Sequence, residues 1–369
     1  MTLHDFVSLK KKLIHCFIGP PTAVVGLDIG TSCIKIAEVS QVTGHAVLKA
    51  AGLFDVPPGL IDDTGYILDP AELAAAVRKM LASCEIFSRD VVVAVAGSSV
   101  FVRVILLPAM STAELKEAIK WELEKYIPFE SDSYYHDYAI IGPGKTEAEL
   151  RVLLVAAPRR LVDTLIHVVK AANCRPLAID IEAVALSRTL PEGENAAVID
   201  IGGHSSQIII FQESIPVVTR SLPFGSRRFT EVIMQTLQLD YLAAERSKQN
   251  LTGLLQGNNL AGEKTAVLQQ LAEVSGEIVR EVRRTLEYYQ LQNRETVIER
   301  MHLTGGGARM DKLAEQFTAQ FGNSQLVAHN SLARVQLGPS VDEPYLRGLA
   351  PQLAVALGLA LYRGNYANR

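Results

Sequence analysis

One strand–turn–strand pattern occurs twice in this chain, and it limits the possible folds more than any other feature. In the first copy, residues 24–30 form an apolar run that ends in Asp28-Ile29-Gly30, and a second apolar run follows over residues 33–39. The second copy, residues 196–211, repeats this order around Asp200-Ile201-Gly202-Gly203. Each copy predicts a β-hairpin with a short polar tip. Two copies about 170 residues apart predict an α/β protein with two lobes of related design.

The chemistry of the two tips favours a phosphate ligand. Glycine tolerates the positive φ of a tight turn and lets backbone N–H groups approach an anion. An aspartate beside each tip would repel phosphate unless a cation lay between them, and Mg²⁺ binds carboxylates together with substrate phosphates. We therefore predict that ATP and Mg²⁺ bind between the tips. The predicted phosphate-binding residues are Gly30, Thr31, Ser32, Lys35, Gly202 and Gly203, and the predicted metal-binding residues are Asp28 and Asp200.

A third glycine-rich segment supports a nucleotide rather than a phosphate alone. Gly305-Gly306-Gly307 follows the apolar run 301–304 and precedes a predicted helix over residues 311–321. A single Asp-Ile-Gly is most often an ordinary turn, but two copies followed by a glycine platform favour nucleotide binding. The sequence contains neither GxxxxGK[ST] nor GxGxxG after a strand, which argues against P-loop and Rossmann sites.

Composition narrows the class of partner. A chain of 369 residues is too long for one ordinary core and suits two lobes or more. A net charge of −4 leaves no basic surplus for a phosphate backbone, so we expect no nucleic-acid partner. The four cysteines lack CxxC or metal-ligand spacing, which indicates reduced thiols in a reducing compartment.

Residues 1–22 are predicted to form a solvated leader. The apolar run at 13–18 contains His15 and is short for a signal peptide. No stretch approaches the ~20 apolar residues needed to span a bilayer, and an amphipathic helix on a membrane surface is the alternative for residues 3–18. We therefore expect a cytoplasmic protein.

Local signals predict two helices with some precision. Apolar spacing predicts a helix over residues 70–83. Ser111 with Glu114 three residues later is a capping-box pattern, which predicts a helix from that point to Tyr126.

The order of the motifs resembles the actin, Hsp70 and hexokinase superfamily. Asp28-Ile29-Gly30-Thr31 with Lys35 looks like its first phosphate motif, the tip at Asp200 like its second, and residues 304–309 like its adenosine motif. The resemblance implies a two-lobed actin-like ATPase fold. It also implies that nucleotide is bound by Gly225, Glu245, Lys248, Gly305, Gly306, Gly307 and Arg309. Glu182 and Asp200 are the candidate catalytic residues, although Glu182 could equally cap the neighbouring helix.

A narrower resemblance is to the PilM family, the actin-like components of type IV pilus assembly. It covers roughly residues 24–361, and its specific part is residues 121–129, which end in Tyr126-Ile127-Pro128-Phe129. The resemblance implies an FtsA-like 1C insert subdomain and a place beneath the inner membrane, among the platform proteins. It further implies that Tyr126, Ile127, Pro128 and Phe129 line a groove for the cytoplasmic N-terminal tail of PilN. Packing of these four residues into the core is the alternative.

The motifs and the resemblance together divide the chain as follows. The predicted parts are a leader (1–22), the first part of lobe 1 (23–89), the 1C insert (90–174), the connecting helix of lobe 1 (175–195), lobe 2 (196–345, with a 2B insert at about 226–299) and a C-terminal helix that returns to lobe 1 (346–369).

Three functions fit this organisation. We favour an ATP-binding scaffold of a type IV pilus or type II secretion-like platform, at most a slow ATPase because no cis arginine finger is obvious. An FtsA-like polymerising protein is the first alternative, but the polar tail at 364–369 is unlike the amphipathic helix expected there. A sugar or acetate kinase with Asp180 or Asp200 as base is the second, but no sugar-recognition motif is visible. Whether copies of the chain associate with one another stays open.

Overall fold

A computed structural model of the chain describes residues 23–127, 130, 133–144, 146–256, 261–294, 296–310, 313–321 and 326–363. The strands are β1 (Ala23–Ile29), β2 (Cys33–Val42), β3 (His45–Asp55), β4 (Asp90–Val95), β5 (Phe101–Pro108), β6 (Tyr134–Pro143), β7 (Glu149–Pro158), β8 (Arg175–Ile181), β9 (Ala196–Ile201), β10 (Ser206–Gln212), β11 (Ile215–Leu222), β12 (Arg300–Thr304), β13 (Leu326–Ala328) and β14 (Gln336–Leu337). The helices are α1 (Pro70–Ser83), α2 (Thr112–Tyr126), α3 (Arg159–Ala171), α4 (Glu182–Ser187), α5 (Arg227–Leu237), α6 (Tyr241–Gln249), α7 (Leu251–Gln256), α8 (Ala261–Gln292), α9 (Leu313–Phe321), α10 (Glu343–Leu349) and α11 (Ala354–Ala360).

The first lobe is built on a six-stranded sheet in the order β14-β3-β2-β1-β4-β8. Strand β1 lies in its middle, antiparallel to β2 and parallel to β4. Its apolar residues Val24, Val25 and Leu27 are buried, as expected for a strand that is covered on both faces. The predicted first hairpin is therefore confirmed, and its tip lies at the end of a central strand.

The second lobe repeats this design with a five-stranded sheet in the order β11-β10-β9-β12-β13. Strand β9 pairs antiparallel with β10 and parallel with β12, so the second hairpin is also confirmed. Helices α5 to α8 occupy most of the segment predicted as the 2B insert. Their buried residues, among them Phe229, Val267 and Ile278, share one core with Ile199 and Ile201 of β9.

The insert has a small sheet of its own, in the order β5-β7-β6, with α2 packed against it. Ser111 caps α2, and both hydrogen bonds of the predicted capping box are present with Glu114. Strand β4 begins at Asp90 but pairs with β1 and β8 in the first lobe, so the separate sheet starts at Phe101. Helix α3 also packs into the core of the first lobe, through Leu161 and Leu165.

Two crossings connect the lobes. The chain leaves the first lobe through α4 and enters β9, and it returns after β13 through a 3-10 turn, Ser331–Arg334, to β14. Helix α11 then packs across α4 and β1. A Cβ at Gly358 would overlap the carbonyl oxygen of Ala185, so glycine is required for this close approach. Where the sequence predicts one C-terminal helix, Pro351 separates α10 from α11 because it lacks the N–H of a helix interior.

None of the described helices is both long and apolar enough to cross a membrane.

Candidate functional site

The tip of the first hairpin brings together an aspartate and a lysine. Asp28 and Lys35 are direct partners in the β1–β2 ladder, so their side chains project from the same face. Lys35 Nζ lies 2.9 Å from Asp28 Oδ2, and both side chains are largely buried. Burial opposes the charge on Lys35, but the carboxylates of Asp28 and Asp200 outweigh it and raise the pKa of this ammonium group. Lys35 is therefore a fixed cation at the base of the first tip.

The tip of the second hairpin has the same register with different chemistry. Asp200 is the ladder partner of Gln207, with the seven-residue spacing that separates Asp28 from Lys35. Gln207 Nε2 donates a hydrogen bond to Glu182 Oε2, and Glu182 is the first residue of α4. Sequence reasoning missed Gln207, although the repeated spacing after the second aspartate marks its position. The two lobes thus place a lysine and an amide at equivalent points.

The carboxyl groups of Asp28, Asp200 and Glu182 all interact electrostatically with the ammonium group of Lys35. Burial, together with the charge of Asp28, raises the pKa of Asp200 to about 6 against the lowering influence of Lys35. Burial, Asp200 and Asp28 raise the pKa of Glu182 well above its usual range. Both shifts reflect excess negative charge in a site of low solvent access. A cation beyond Lys35 would relieve that repulsion.

Asp28 and Asp200 suit a Mg²⁺ ion that is bound together with water and substrate phosphates. Among the described residues, no three His, Cys, Asp or Glu side chains converge as a ready-made metal cage. Mg²⁺ typically keeps several waters and binds through one or two carboxylates plus substrate phosphates, so a cage is not needed. Asp28 and Asp200 are the residues that would hold it, one from each lobe.

The two tips touch each other. A Cβ at Gly203 would overlap Ser32 Oγ of the first tip, so this contact requires glycine. His204 Nδ1 lies 2.9 Å from Thr31 Oγ1, which links the tips through side chains. The second tip is supported from behind, because Ser226 N–H donates to Gly202 O at 2.8 Å. A Cβ at Gly225 would lie 2.5 Å from that same oxygen, which explains glycine there as well.

The triple glycine lies beside the second tip. Thr304, the last residue of β12, pairs with Asp200. Gly305 follows with φ of +85°, a conformation that favours glycine, and a Cβ there would overlap Asp200 Oδ1. Gly306 begins a 3-10 turn that ends at Arg309, whose Nη1 donates to Gln352 Oε1 at 3.0 Å. The structure therefore brings the predicted adenosine motif next to the predicted metal-binding aspartate.

Glu245 and Lys248 lie behind the Gly225 loop. Lys248 Nζ lies 2.8 Å from Glu245 Oε2 and donates to Ser226 O at 3.3 Å. Thr230 Oγ1 also donates to Glu245, at 2.7 Å. Burial lowers the pKa of Lys248, although the Glu245 carboxylate opposes this change. The pair thus braces the loop that supports the second tip, and its contact with a nucleoside remains a prediction.

The predicted peptide-binding residues divide into two groups. Ile127 is buried in the core of the insert, which matches the alternative of inward packing. Tyr126 is 37% exposed; its ring stacks on Phe101 at 6.3 Å, and the Arg103 guanidinium lies 4.2 Å from its centre. Pro128 and Phe129 lie outside the described residues. Tyr126 is therefore the one described member that presents a surface to a ligand.

Asp180, considered above as the base of a kinase, is already engaged. Its Oδ2 lies 2.7 Å from Arg188 Nη2, and its Oδ1 accepts from the N–H of Ile181 at 2.8 Å. Both oxygens of this carboxylate already have partners, so an acceptor hydroxyl would have to displace one of them, and this position does not favour a kinase.

Comparisons with known proteins agree with this geometry. The sequence model of the family described as "Type IV pilus assembly protein PilM" matches residues 26–364. A solved structure described as "PilM-PilN type IV pilus biogenesis complex" is 29% identical, with a TM-score of 0.79 over 92% of this chain and 97% of that chain. The ethanolamine utilization protein EutJ from Carboxydothermus hydrogenoformans is 17% identical, with a TM-score of 0.57 over 97% of this chain and 99% of that chain. The second likeness concerns the fold alone.

Proposed function

Since the chain belongs to the family of type IV pilus assembly proteins PilM, we propose that it is a nucleotide-binding scaffold that holds the cytoplasmic N-terminal tail of PilN. The observation that carries the proposal is the likeness of nearly the whole chain to the PilM–PilN complex. PilN-type partners are membrane proteins in this proposal, so the scaffold would lie at the cytoplasmic face of the inner membrane, in contact with other platform proteins.

The proposed nucleotide is ATP with Mg²⁺, and the paired tips support it. The N–H groups of Gly30 and Gly202 close the turns of the tips, because they donate to Cys33 O at 3.1 Å and to Ser205 O at 3.0 Å. The backbone N–H groups of Thr31 and Gly203 would bind phosphate oxygens. Lys35 supplies a fixed positive charge beside Asp28. When bound, Mg²⁺ would supply charge neutralisation between the phosphates and the two aspartates. Gly305 and Gly307 pack closely against Asp200 and Ile201, whereas a Cβ at Gly306 would meet no atom nearer than Gln352 Nε2 at 3.4 Å, so the nucleoside would approach the backbone at Gly306.

Slow hydrolysis is expected from the way Glu182 is held. Burial and the charges of Asp200 and Asp28 raise its pKa, and its Oε2 already accepts a hydrogen bond from Gln207 Nε2. A water molecule would have to compete with Gln207 for this oxygen, which limits Glu182 as a general base. We therefore expect turnover below about 1 s⁻¹, at the lower edge of the usual enzyme range. Glu182→Gln, which keeps an oxygen to accept from Gln207, should leave ATP binding intact and abolish any turnover.

The test of nucleotide binding is a thermal shift with ATP and Mg²⁺ on nucleotide-free protein. A ligand that binds only the folded state stabilises it by RT ln(1 + [L]/Kd). The wild type should melt at a higher temperature with millimolar ATP·Mg²⁺, and Asp28→Ala or Asp200→Ala should lose the part of the shift that depends on Mg²⁺. No shift in the wild type would contradict the nucleotide site.

The test of partner binding is a titration with a synthetic peptide of the PilN N-terminal tail. Apolar anchors should dominate the affinity, because exposed rim charges contribute little. Tyr126→Ala and Phe129→Ala should each weaken binding, whereas Glu124→Ala on the exposed face of α2 serves as the control. Equal binding by all variants would place the peptide elsewhere on the molecule.

A further inference from the structure

His204 of the second lobe contacts three side chains, and two of them belong to the first lobe. Its Nδ1 lies 2.9 Å from Thr31 Oγ1 in the first tip. Its Nε2 lies 3.0 Å from Asp63 Oδ1, on the first-lobe loop between β3 and α1. The same nitrogen lies 2.7 Å from Arg227 Nη1, at the start of α5 in the second lobe. The imidazole is thus clamped between an acidic side chain of one lobe and a basic side chain of the other.

The Nε2 atom of His204 cannot form hydrogen bonds to both Asp63 and Arg227 at once. A guanidinium can only donate a hydrogen bond, so Nε2 must lack a proton to pair with Arg227. An ionised carboxylate can only accept, so Nε2 must carry a proton to pair with Asp63. Whichever state the imidazole takes, either Asp63 or Arg227 has no hydrogen bond to it. When Nε2 carries its proton, the imidazole N–H donates to Asp63, and the nearby Arg227 Nη1 donor has no acceptor at this point.

Arg227 keeps its position without His204. Its Nε pairs with Glu231 Oε1 at 3.1 Å, and its guanidinium lies 5.8 Å from the centre of the Tyr241 ring. Its backbone N–H donates to Gly203 O at 2.9 Å. The guanidinium is therefore fixed next to the second tip.

Asp63, in contrast, is free to leave. Its side chain is 81% exposed, and His204 is its sole ion-pair partner among the described residues. The backbone of its loop is held independently, because Asp62 Oδ1 accepts from the N–H groups of Thr64 and Tyr66, both at 2.9 Å. Rotation of the Asp63 side chain into solvent would leave that turn unchanged.

We propose that the terminal phosphate of a nucleoside triphosphate takes the place of the Asp63 carboxylate beside His204 Nε2 and accepts hydrogen bonds from both His204 and Arg227. The proposal rests on the nucleotide site proposed above and names two further ligands of it. A phosphate oxygen accepts from a guanidinium and from an imidazole N–H as a carboxylate does, and phosphate carries more charge and more acceptor atoms. A triphosphate displaces Asp63, whereas a diphosphate, which lacks the terminal group, leaves the contact between Asp63 and His204 in place.

The loop that carries Asp63 has further contacts that do not involve this side chain. Arg160 of α3 lies over the ring of Tyr66 at 5.4 Å, and a Cβ at Gly97 would lie 3.4 Å from the carbonyl oxygen of Thr64. The latch formed by Asp63, His204 and Arg227 therefore opens by rotation of the Asp63 side chain alone.

The test compares the affinities of ATP·Mg²⁺ and ADP·Mg²⁺ by titration calorimetry. Asp63→Asn removes the competing charge at nearly constant size and should tighten ATP about tenfold, with little change for ADP. His204→Ala removes a charge-assisted contact and should weaken ATP about tenfold or more, with a smaller effect on ADP. In the His204→Ala background, Asp63→Asn should no longer tighten ATP, because the two residues act through one contact. Glu117→Gln, an exposed carboxylate on α2, is the control for a change in net charge.

The outcomes separate the two proposals. If the wild type binds neither nucleotide, the proposed nucleotide site is wrong, and the latch is wrong with it. If the wild type binds nucleotide but Asp63→Asn alters ATP and ADP equally, or alters neither, the latch is wrong while the nucleotide site stands. His204→Gln accompanies His204→Ala, and circular dichroism of each variant establishes that the lobes remain folded. An ATP-selective gain in Asp63→Asn that vanishes without His204 supports the latch.

Discussion

Asp28 and Lys35 face each other directly in the β1–β2 ladder, and their side chains form an ion pair of 2.9 Å beneath the first tip. In the second hairpin the equivalent pair is Asp200 and Gln207. One lobe therefore supplies a fixed cation and the other an amide that reaches Glu182. The site is symmetric in its backbone and asymmetric in its charge.

Lys35→Met should destabilise the folded protein by about 3 kcal/mol or more, because it leaves the buried Asp28 carboxylate without its partner. Mg²⁺ should raise the melting temperature of this variant more than that of the wild type, since the cation would take over part of the role of the ammonium group. The double variant Lys35→Met/Asp28→Asn should recover stability without Mg²⁺. If Mg²⁺ stabilises both proteins equally, the two carboxylates do not hold it.

Asp200 gives stability a defined pH dependence. Its folded pKa of about 6 lies above the ordinary value of 3.8, so between these pH values the folded protein retains a proton that the unfolded chain has released. This group therefore costs stability as pH rises through that window, and the cost is complete above pH 6. Asp200→Asn should melt at a higher temperature than the wild type at pH 7.5 without Mg²⁺, by the equivalent of about 1–3 kcal/mol.

The difference should shrink as pH falls through this window and disappear below 3.8, where Asp200 is protonated in both states. Added Mg²⁺ should stabilise the wild type at pH 7.5 and leave Asp200→Asn nearly unchanged. Denaturant melts at several pH values would measure both trends. A wild type that is more stable than the variant at pH 7.5 without Mg²⁺ would contradict the raised pKa.

Two glycines in the C-terminal helices provide a matched test of packing. Gly358→Ala would drive a methyl group into the carbonyl oxygen of Ala185, so α11 and α4 must move apart. We expect a loss of about 1–3 kcal/mol, as for other overpacked sites. Gly348→Ala in α10 meets no atom within 4 Å and should gain about 0.5–1 kcal/mol from its higher helix propensity. Urea denaturation of both variants measures the contrast, and equal effects would contradict the close crossing of α11 and α4.

A buried histidine pair lies where the chain crosses between the lobes. His329 Nε2 lies 2.8 Å from Thr189 Oγ1, and its Nδ1 lies 3.3 Å from His302 Nδ1, while His302 Nε2 lies 2.9 Å from Glu194. Burial, with a contribution from His302, lowers the pKa of His329 to about 3. Below about pH 6.5, His329 therefore binds a proton in the unfolded chain but not in the folded protein. This stabilising contribution is complete above pH 6.5 and is lost as pH falls below it.

Stability should consequently fall between pH 6.5 and 5, with His329 contributing up to about 1.4 kcal/mol per pH unit. His329→Gln keeps a polar group for Thr189 and should flatten that slope. Chemical denaturation at pH 7, 6 and 5 gives the comparison, with His45→Gln, an exposed histidine at the start of β3, as the control. An unchanged slope in His329→Gln would show that other groups govern acid sensitivity.

Local features of the sequence predicted what local physics controls. The hairpins at Asp28 and Asp200 follow from apolar runs that end in glycine. Helix α1 follows from apolar spacing, and the Ser111 cap follows from the two reciprocal hydrogen bonds with Glu114. The actin-like fold and the family were also predicted, because the ordered motifs span most of the chain. The hairpins, the helix and its cap depend on residues that are close together in the chain, so their patterns can be recognised from the sequence alone.

Contacts between distant segments were decided by the tertiary structure. Gln207 donates a hydrogen bond to Glu182, which lies 25 positions away in the sequence. His204 contacts Thr31, which lies 173 positions away. No periodicity encodes such pairs, since they depend on the register of β9 with β10 and on how the two lobes meet. The same reason places β4 in the first sheet rather than in the insert, and turns Ile127 inward beside Tyr126. The sequence indicates which residues can bind phosphate, but the packing of one lobe against the other determines which of them contact each other.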